Sequence, residues 1–252
     1  MKYIKKFNNE QSLVNYTKNN FVTPHLFLNT SDKHINHIIK YRQLEYISST
    51  STGGQYIDLG CKLLENTDDV IIDIKFNITG NGKGNQGQST LIANQPETSP
   101  YPGFVLRKDG WNNVEFSTKW SFDNSTQGTT SDTTNKWYSK YLTYNINGNT
   151  IDRKYNNIYE LSLLVNNIPQ SEVHNMICYL FCALNSSNQP FRYIKADLYY
   201  LKFTKGGQVI RNLIPVKKVS TGEIGLFDME NDHLYLSQGD DPFVAGPIKT
   251  DQ

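Results

Sequence analysis

Val70-Ile71-Ile72-Asp73-Ile74-Lys75-Phe76 is the stretch from which the fold class can be read. Val70, Ile72, Ile74 and Phe76 fall at every second position, so an extended chain puts all four on one face. Asp73 and Lys75 fall on the opposite face. A helix would scatter these residues around its circumference, whereas a strand with one buried face separates them. The pattern is that of a half-buried β-strand.

The same grammar extends in both directions. Upstream, Tyr46-Ile47-Ser48 and Tyr56-Ile57-Asp58-Leu59 are short β-branched and aromatic runs. Downstream, strands are expected at Ser89–Asn94, Phe104–Arg107, Asn113–Phe122, Trp137–Ile146, Thr150–Tyr155, Glu160–Val165 and Met176–Leu184. The pattern continues at Ala196–Thr204, Gln208–Pro215, Glu223–Asp228 and His233–Leu236. Asn147-Gly148 and Gly206-Gly207 carry the residues that tolerate positive φ at both centres of a tight hairpin turn. Pro215 lacks an N–H and is expected to end its ladder. The run from Gly80 to Gln88 and the Ser/Thr/Asn-rich run from Asp123 to Asn135 read as exposed loops. Many short strands with almost no helical periodicity after residue 43 predict an all-β, two-sheet antiparallel β-sandwich over residues 44–252.

Bulk properties agree. The 252 residues are 37% hydrophobic and 19% charged, with Asn, Ser, Thr, Gln and Tyr supplying the polar balance. Such a length holds one large β domain or two small ones. A formal net charge of +1 creates no field to attract nucleic acid or an anionic membrane. No apolar run is long enough for a membrane-spanning helix, and Met1-Lys2-Tyr3-Ile4-Lys5-Lys6-Phe7 lacks the apolar stretch of a signal peptide. Synthesis in a cytoplasm is the expectation, with any exit by a route other than that signal, of which virus assembly and release by lysis is one. Cys61, Cys178 and Cys182 have no metal-ligand spacing and read as buried small hydrophobes. On one strand, Cys178 and Cys182 would have Cα atoms roughly 13 Å apart, too far to bond.

Residues 1–43 differ from the rest of the chain. Asn8 or Asn9 can cap a helix carrying Leu13 and Tyr16, and Pro24–Leu28 with His34–Ile38 reads as a hairpin around Asn29–Lys33. So small a helix–hairpin cannot bury Phe7, Phe21, Leu26, Phe27, Leu28, Ile35, Ile38 and Ile39 by itself. It is expected to attach to a larger partner or a sister subunit.

Two stretches carry a resemblance. Glu45-Tyr46-Ile47-Ser48-Ser49-Thr50 with Gln55-Tyr56-Ile57-Asp58-Leu59-Gly60 resembles the opening of laminin-G-like, concanavalin A-like jelly rolls. Leu198-Tyr199-Tyr200-Leu201-Lys202-Phe203 and Val209–Val216, continuing through Gly225-Leu226-Phe227-Asp228 to Phe243-Val244-Ala245-Gly246-Pro247, resembles the closing pattern of the same family. The two ends frame residues 44–248. Such domains recur in phage tail, fibre and other virion proteins and in surface proteins of gut bacteria. Lys5–Asn20 with Thr23–Ile38 is similar to the helix-then-hairpin units that open structural proteins of crAss-like Bacteroidales phages, although Pro24-His25-Leu26-Phe27-Leu28 lacks the Val-Ser of that pattern. The resemblance implies a jelly roll on a phage particle, bound through residues 1–43 to other virion proteins. By analogy with phage fibres, it also implies a homotrimer.

Chemistry is sparse. Glycan hydrolases of the concanavalin A-like class place carboxylates on one strand face as Glu-x-Asp-x-(x)-Glu, and no such run exists here. The acidic clusters are Asp68-Asp69, Asp228 with Glu230 and Asp232, and Asp240-Asp241, all in apparent turns. Asp228-x-Glu230-x-Asp232 alternates like part of a calcium loop but lacks the following Gly and the distal Glu, so Met229–Asp232 reads as a hairpin turn. The Gly80–Gln88 run lacks the Gly-Lys-Ser/Thr ending of a phosphate loop. His25, His34 and His37 have no Cys or carboxylate at ligand spacing. No enzyme activity, cofactor or metal is therefore expected. The candidate ligand is host-surface polysaccharide, whose sugar rings pack on aromatic faces while Asn and Asp bind the hydroxyls. Trp111, Trp120, Trp137, Tyr138 and Tyr141, together with Tyr144, are the candidate glycan-binding residues, set against an ordinary role in the sandwich core or a subunit interface. The two functional expectations are a virion structural protein displaying this domain and a free-standing glycan-binding lectin or receptor-binding protein.

Overall fold

Among the described residues, alternation and turn chemistry become two main antiparallel sheets and a small two-stranded one in which Ala183–Leu184 pairs with Pro190–Phe191. The computed structural model describes residues 40–62, 70–84, 87–94, 103–108, 114–119, 153–155, 158–165, 177–185 and 187–250. The strands are β1 (Tyr41–Gln43), β2 (Ile47–Ser48), β3 (Ile57–Lys62), β4 (Val70–Asn81), β5 (Ser89–Asn94) and β6 (Gly103–Lys108). They continue as β7 (Val114–Lys119), β8 (Arg153–Tyr155), β9 (Ile158–Val165), β10 (Ile177–Leu180), β11 (Ala183–Leu184) and β12 (Pro190–Phe191). The last are β13 (Ile194–Lys205), β14 (Gln208–Lys218), β15 (Ile224–Asp228), β16 (His233–Tyr235) and β17 (Val244–Ala245). Among the described residues the chain is almost wholly strand and turn.

The larger sheet has ten strands, in the order β16-β15-β14-β13-β4-β9-β8, with β1, β2 and β17 joined off this path. The smaller has five, in the order β3-β10-β5-β6-β7. Both contribute to one hydrophobic core. Val70, Ile72, Ile74 and Phe76 of β4 meet Ala196, Leu198, Leu201 and Phe203 of β13 from the larger sheet. Leu59 of β3, Leu91 and Ile92 of β5, Leu106 of β6 and Leu180 of β10 come from the smaller. This two-layered antiparallel arrangement is consistent with a β-sandwich.

The ends of the framed region close on each other. β13 and β14 pair along Leu201↔Leu213 and beyond, then part, and residues 41–48 enter the fork. There β1 pairs with β14 (Gln43↔Val216), and β2 pairs with β13 (Leu198↔Ile47). The C-terminal stretch lies on the far side of β2, with Ala245↔Ile47 in register and Gly246 N donating to Tyr46 O at 2.9 Å. Glu45 N to Pro247 O (2.8 Å) and Lys249 N to Gln43 O (3.0 Å) extend the closure. Tyr41–Gln43 are thus part of the sheet.

Several expectations need correction. Met176–Leu184 is not one strand. Phe181 adopts φ 63°, its N–H donates to Leu91 O and its carbonyl accepts from Ile194 N, so the chain turns between β10 and β11. The Phe181 ring packs 4.9 Å from that of Phe243, and this burial offsets a backbone conformation rare for a bulky residue. Cys178 and Cys182 are consequently not on one strand. Pro215 does not end its ladder, because β14 runs on to Lys218. The Pro215 carbonyl accepts from Leu44 N at 2.9 Å. N–H and C=O of one extended residue point to the same side, so the missing donor lies toward the short β1 edge and the β15 ladder loses nothing. Gly80 and Asn81, expected in a loop, belong to β4. Gly206 and Gly207, by contrast, form the expected tight turn, with φ 53° and 78° and Lys205↔Gln208 closing the hairpin. The helix and hairpin of residues 1–39, the strand at Trp137–Ile146, the Asn147-Gly148 turn and the Asp123–Asn135 loop lie outside the described residues.

Phe76 is fully buried at the centre of the core. Phe76→Ala should lower unfolding free energy by about 3–5 kcal/mol through lost burial and a residual cavity. Denaturant unfolding should show this as a lower midpoint with an unchanged slope.

Candidate functional site

Residues of β4, β13 and β2 that do not face the core form rows across the outer surface of the larger sheet. In one row Ser48, Asp197 and Asn77 are cross-strand neighbours. Ser48 Oγ donates to Asp197 Oδ1 at 2.5 Å, and Asn77 Nδ2 donates to Asp197 Oδ2 at 3.2 Å. Each oxygen of the carboxylate is held by one donor, which fixes its plane and leaves further acceptor capacity.

The next row is aromatic. The β13–β4 register shifts between Leu198↔Phe76 and Tyr200↔Lys75, so Tyr199 is an extra residue. The bulge resets the alternation: Leu198 and Leu201 both face the core, and Tyr199 and Tyr200 both face outward. Tyr46, the residue before β2, stands against Tyr199 with ring centroids 5.1 Å apart and planes tilted by 55°. Lys75 Nζ lies 5.5 Å above the Tyr199 ring. Tyr200 donates its hydroxyl hydrogen bond to Glu160 Oε1 at 3.3 Å. The third row is the Lys202–Asp73 ion pair at 3.0 Å. Partial burial raises the Tyr199 hydroxyl above the ordinary tyrosine range, and nearby Asp197, Tyr46 and Glu45 add to the shift. Burial followed by the Glu160 carboxylate raises Tyr200 further. Both phenols are therefore neutral hydrogen-bonding groups at any physiological pH. The arrangement offers half-buried rings beside an oriented carboxylate.

A second cluster gathers at one end of the sheets. The loop carrying Gly54, the turn carrying Lys83 and the loop carrying Asp240 meet near Tyr193. Gly239 approaches so closely that a Cβ there would collide with Gly54 O, which requires glycine. Lys83 Nζ and Asp240 Oδ2 pair at 2.6 Å but are exposed, so solvent screens them.

Asp228 is different from the turn residue expected from sequence. It ends β15, is fully buried, and accepts from Asn212 N, Glu230 N and Asn231 Nδ2 at 3.1, 3.1 and 2.7 Å. Arg211 Nε stands 3.5 Å from Oδ2, an ion-pair distance without hydrogen-bond geometry. Arg211 also reaches Leu59 O of the smaller sheet at 3.3 Å, as does the Tyr235 hydroxyl at 3.2 Å. This web ties the Met229–Asp232 turn and the edge of β3 together and is structural in character. Asp232, at φ 52°, completes the turn. Among the described residues no group of His, Cys, Asp and Glu could hold a metal ion. Asp68-Asp69 and His25, His34 and His37 lie outside the described residues.

So do Trp111, Trp120, Trp137, Tyr138, Tyr141 and Tyr144, the aromatic candidates from sequence. The tyrosine row of Tyr46, before β2, with Tyr199 and Tyr200 of β13 is not among those candidates. Its signal is the break in phase in Ala196-x-Leu198-Tyr199-Tyr200-Leu201-x-Phe203, where two aromatics interrupt a period of two. No protein-family model, curated protein or solved structure matches the chain.

Cys61, Cys178 and Cys182 are free and buried, as expected. Burial pushes the Cys61 thiol up to about 11, with Cys178 and Cys182 also raised by desolvation first. A rise of about two units leaves roughly a hundredfold less Cys61 thiolate at pH 8. A thiol-specific chromogenic reagent at that pH should react with the folded chain at least about a hundredfold more slowly than with the denatured chain.

Removing the Asp228 carboxylate would leave Arg211 without its counter-charge and take an acceptor from three donors. Asp228→Ala should cost about 3–5 kcal/mol in denaturant unfolding, and Asp228→Asn distinctly less.

Proposed function

We propose that the chain is a bacteriophage virion structural protein, a head fibre, tail fibre or decoration protein. Residues 1–39 attach it to capsid or tail partners, and residues 40–252, with β1 included, form a displayed jelly roll of the concanavalin A-like kind. Assembly of the chains is by homotrimer, and the display domain serves adhesion to host-surface glycan.

The observation that carries this reading is the closure of the framed region. Tyr46–Ile47 of the opening stretch and Ala245–Gly246 of the closing stretch are nearly two hundred residues apart in sequence, yet they pair. A motif split between chain ends has a physical basis when its halves complete one sheet. Lys40 O accepts from Val219 N at 2.8 Å, so the preceding segment emerges directly from the sheet that it would tether. Absence of the Glu-x-Asp-x-(x)-Glu run from the sequence favours display over hydrolysis. The half-buried tyrosines before β2 and on β13 favour the second reading, a free-standing lectin or receptor-binding protein.

Mass spectrometry of purified phage particles is the direct test, and the chain should be a stoichiometric component. Absence from particles would leave the lectin as the better reading. Deleting residues 1–39 should give a soluble, folded β domain that no longer joins the particle. Normal incorporation of the truncated chain would end the attachment role.

A further inference from the structure

We propose that Tyr46, Tyr199 and Tyr200, with the Asp197 carboxylate, form a binding site for an uncharged pyranose of a surface polysaccharide. The inference rests on the adhesive reading of the display domain and gives it residues and a ligand class.

Three observations lead to this site. The first is the bulge. An uninterrupted β13 with Leu198 facing the core would point Tyr200 inward and Leu201 outward; inserting Tyr199 sends both tyrosines to the surface instead. Both tyrosines then lie on an outer sheet face, and Tyr46, the residue before β2, packs against the Tyr199 ring. Tyr46 and Tyr199 meet as an aromatic strip, and Tyr200 stands on the same face, turned toward Glu160.

The second is the carboxylate beside the strip. Asp197 precedes Tyr199 by two residues on the same face, and its orientation is set by Ser48 and Asn77 before any ligand arrives. A sugar presents an apolar C–H face and a rim of hydroxyls. The C–H face suits the rings, and a fixed carboxylate accepts from one or two hydroxyls at little ordering cost. Neither the Tyr46 nor the Tyr199 hydroxyl has a hydrogen-bond partner among the described residues, so both are available to the same rim.

The third is charge. A protein interface is depleted of charged residues at its core, whereas here Lys75, Asp197, Glu160 and the Lys202–Asp73 pair are interleaved with the rings. That composition disfavours a flat protein partner and suits a polyhydroxylated ligand. Of the charges nearest Tyr199, Asp197 and Glu45 are negative, and Lys75 is already placed over the ring. An acidic sugar would meet those carboxylates, so the site selects neutral pyranoses over uronates or sialic acids.

The test uses the full chain on an array of neutral and acidic bacterial polysaccharide fragments, followed by titration calorimetry with the best neutral ligand. Variants Tyr46→Ala, Tyr199→Ala and Asp197→Asn should each weaken binding by about tenfold or more, a change of the size expected for a lost stacking or charge-assisted contact. Tyr199→Phe keeps the ring and should stay within about threefold of the parent. Circular dichroism and melting of each variant identify any that fail to fold; Asp197→Asn, a near-isosteric change, then carries the test, and unchanged binding in a folded Asp197→Asn chain would overturn the site. Wild-type binding that survives the tyrosine variants but is lost in Trp111→Ala, Trp120→Ala or Trp137→Ala would overturn this site and leave the adhesive reading standing. Binding of acidic glycans alone would overturn the ligand class. Failure of the wild-type chain to bind any glycan would overturn the site and the adhesive reading together. A change of oligomeric state in the tyrosine variants, seen by sedimentation without loss of glycan binding, would reassign the strip to contact between copies.

Discussion

The long antiparallel ladder between β4 and β13 is the constraint on which the other elements depend. Eleven residue pairs, from Ile194↔Asn81 to Lys205↔Val70, hold the two longest strands together. Its register is specified because both strands bury one face: a slip by one residue would turn Ile72, Ile74 and Phe76 to solvent. The smaller sheet packs on that buried face, with Leu59, Leu91, Leu106 and Leu180 completing the same core. Strand β9 extends the ladder on one side and β14 on the other. Polar residues between the apolar ones then have nowhere to go but the outer surface, where opposite charges such as Asp73 and Lys202 face each other across strands.

Maintaining such a ladder over twelve residues of β13 requires adjustments, and these have consequences for the surface. One shift absorbs Thr79 opposite Lys195 and Ala196, and another absorbs Tyr199. The second keeps Leu198, Leu201 and Phe203 in the core despite an odd spacing between the two leucines. The outward cost is two adjacent tyrosines on one face, partly covered by Tyr46 and Lys75. Core packing and surface chemistry are in this way consequences of a single inserted residue.

Sheet edges are handled by side chains as well as by strands. The carbonyl of Leu59, at the free edge of β3, accepts from Arg211 and Tyr235 of the larger sheet. Gln238 continues the cover, its N–H donating to Tyr56 O and its Oε1 accepting from Asp58 N at 2.7 Å. An edge whose polar groups are occupied offers no template for another chain. Asp228 makes that arrangement possible by holding Arg211 in position while satisfying two donors of the adjoining turn and one of β14.

Local pattern sufficed for much of this. The alternation of Val70, Ile72, Ile74 and Phe76, the positive-φ turn at Gly206-Gly207, the Met229–Asp232 turn and the burial of all three cysteines follow from residue periodicity, turn chemistry and side-chain polarity, which act over a few residues. Tertiary structure decided the rest, because the determining partners are distant in sequence. Phe181 breaks a continuous apolar run only because Leu91, Ile194 and Phe243 receive its backbone and ring. Pro215 stays inside a strand because Leu44 approaches from the side on which proline has no donor to lose. Asp228 looks like a solvated turn residue until Arg211 and Asn212 surround it. Tyr46 and Tyr199, separated by more than one hundred and fifty residues, become neighbours only when β2 enters the fork between β13 and β14. Periodicity states which face a side chain takes; only the register between distant strands states what stands beside it.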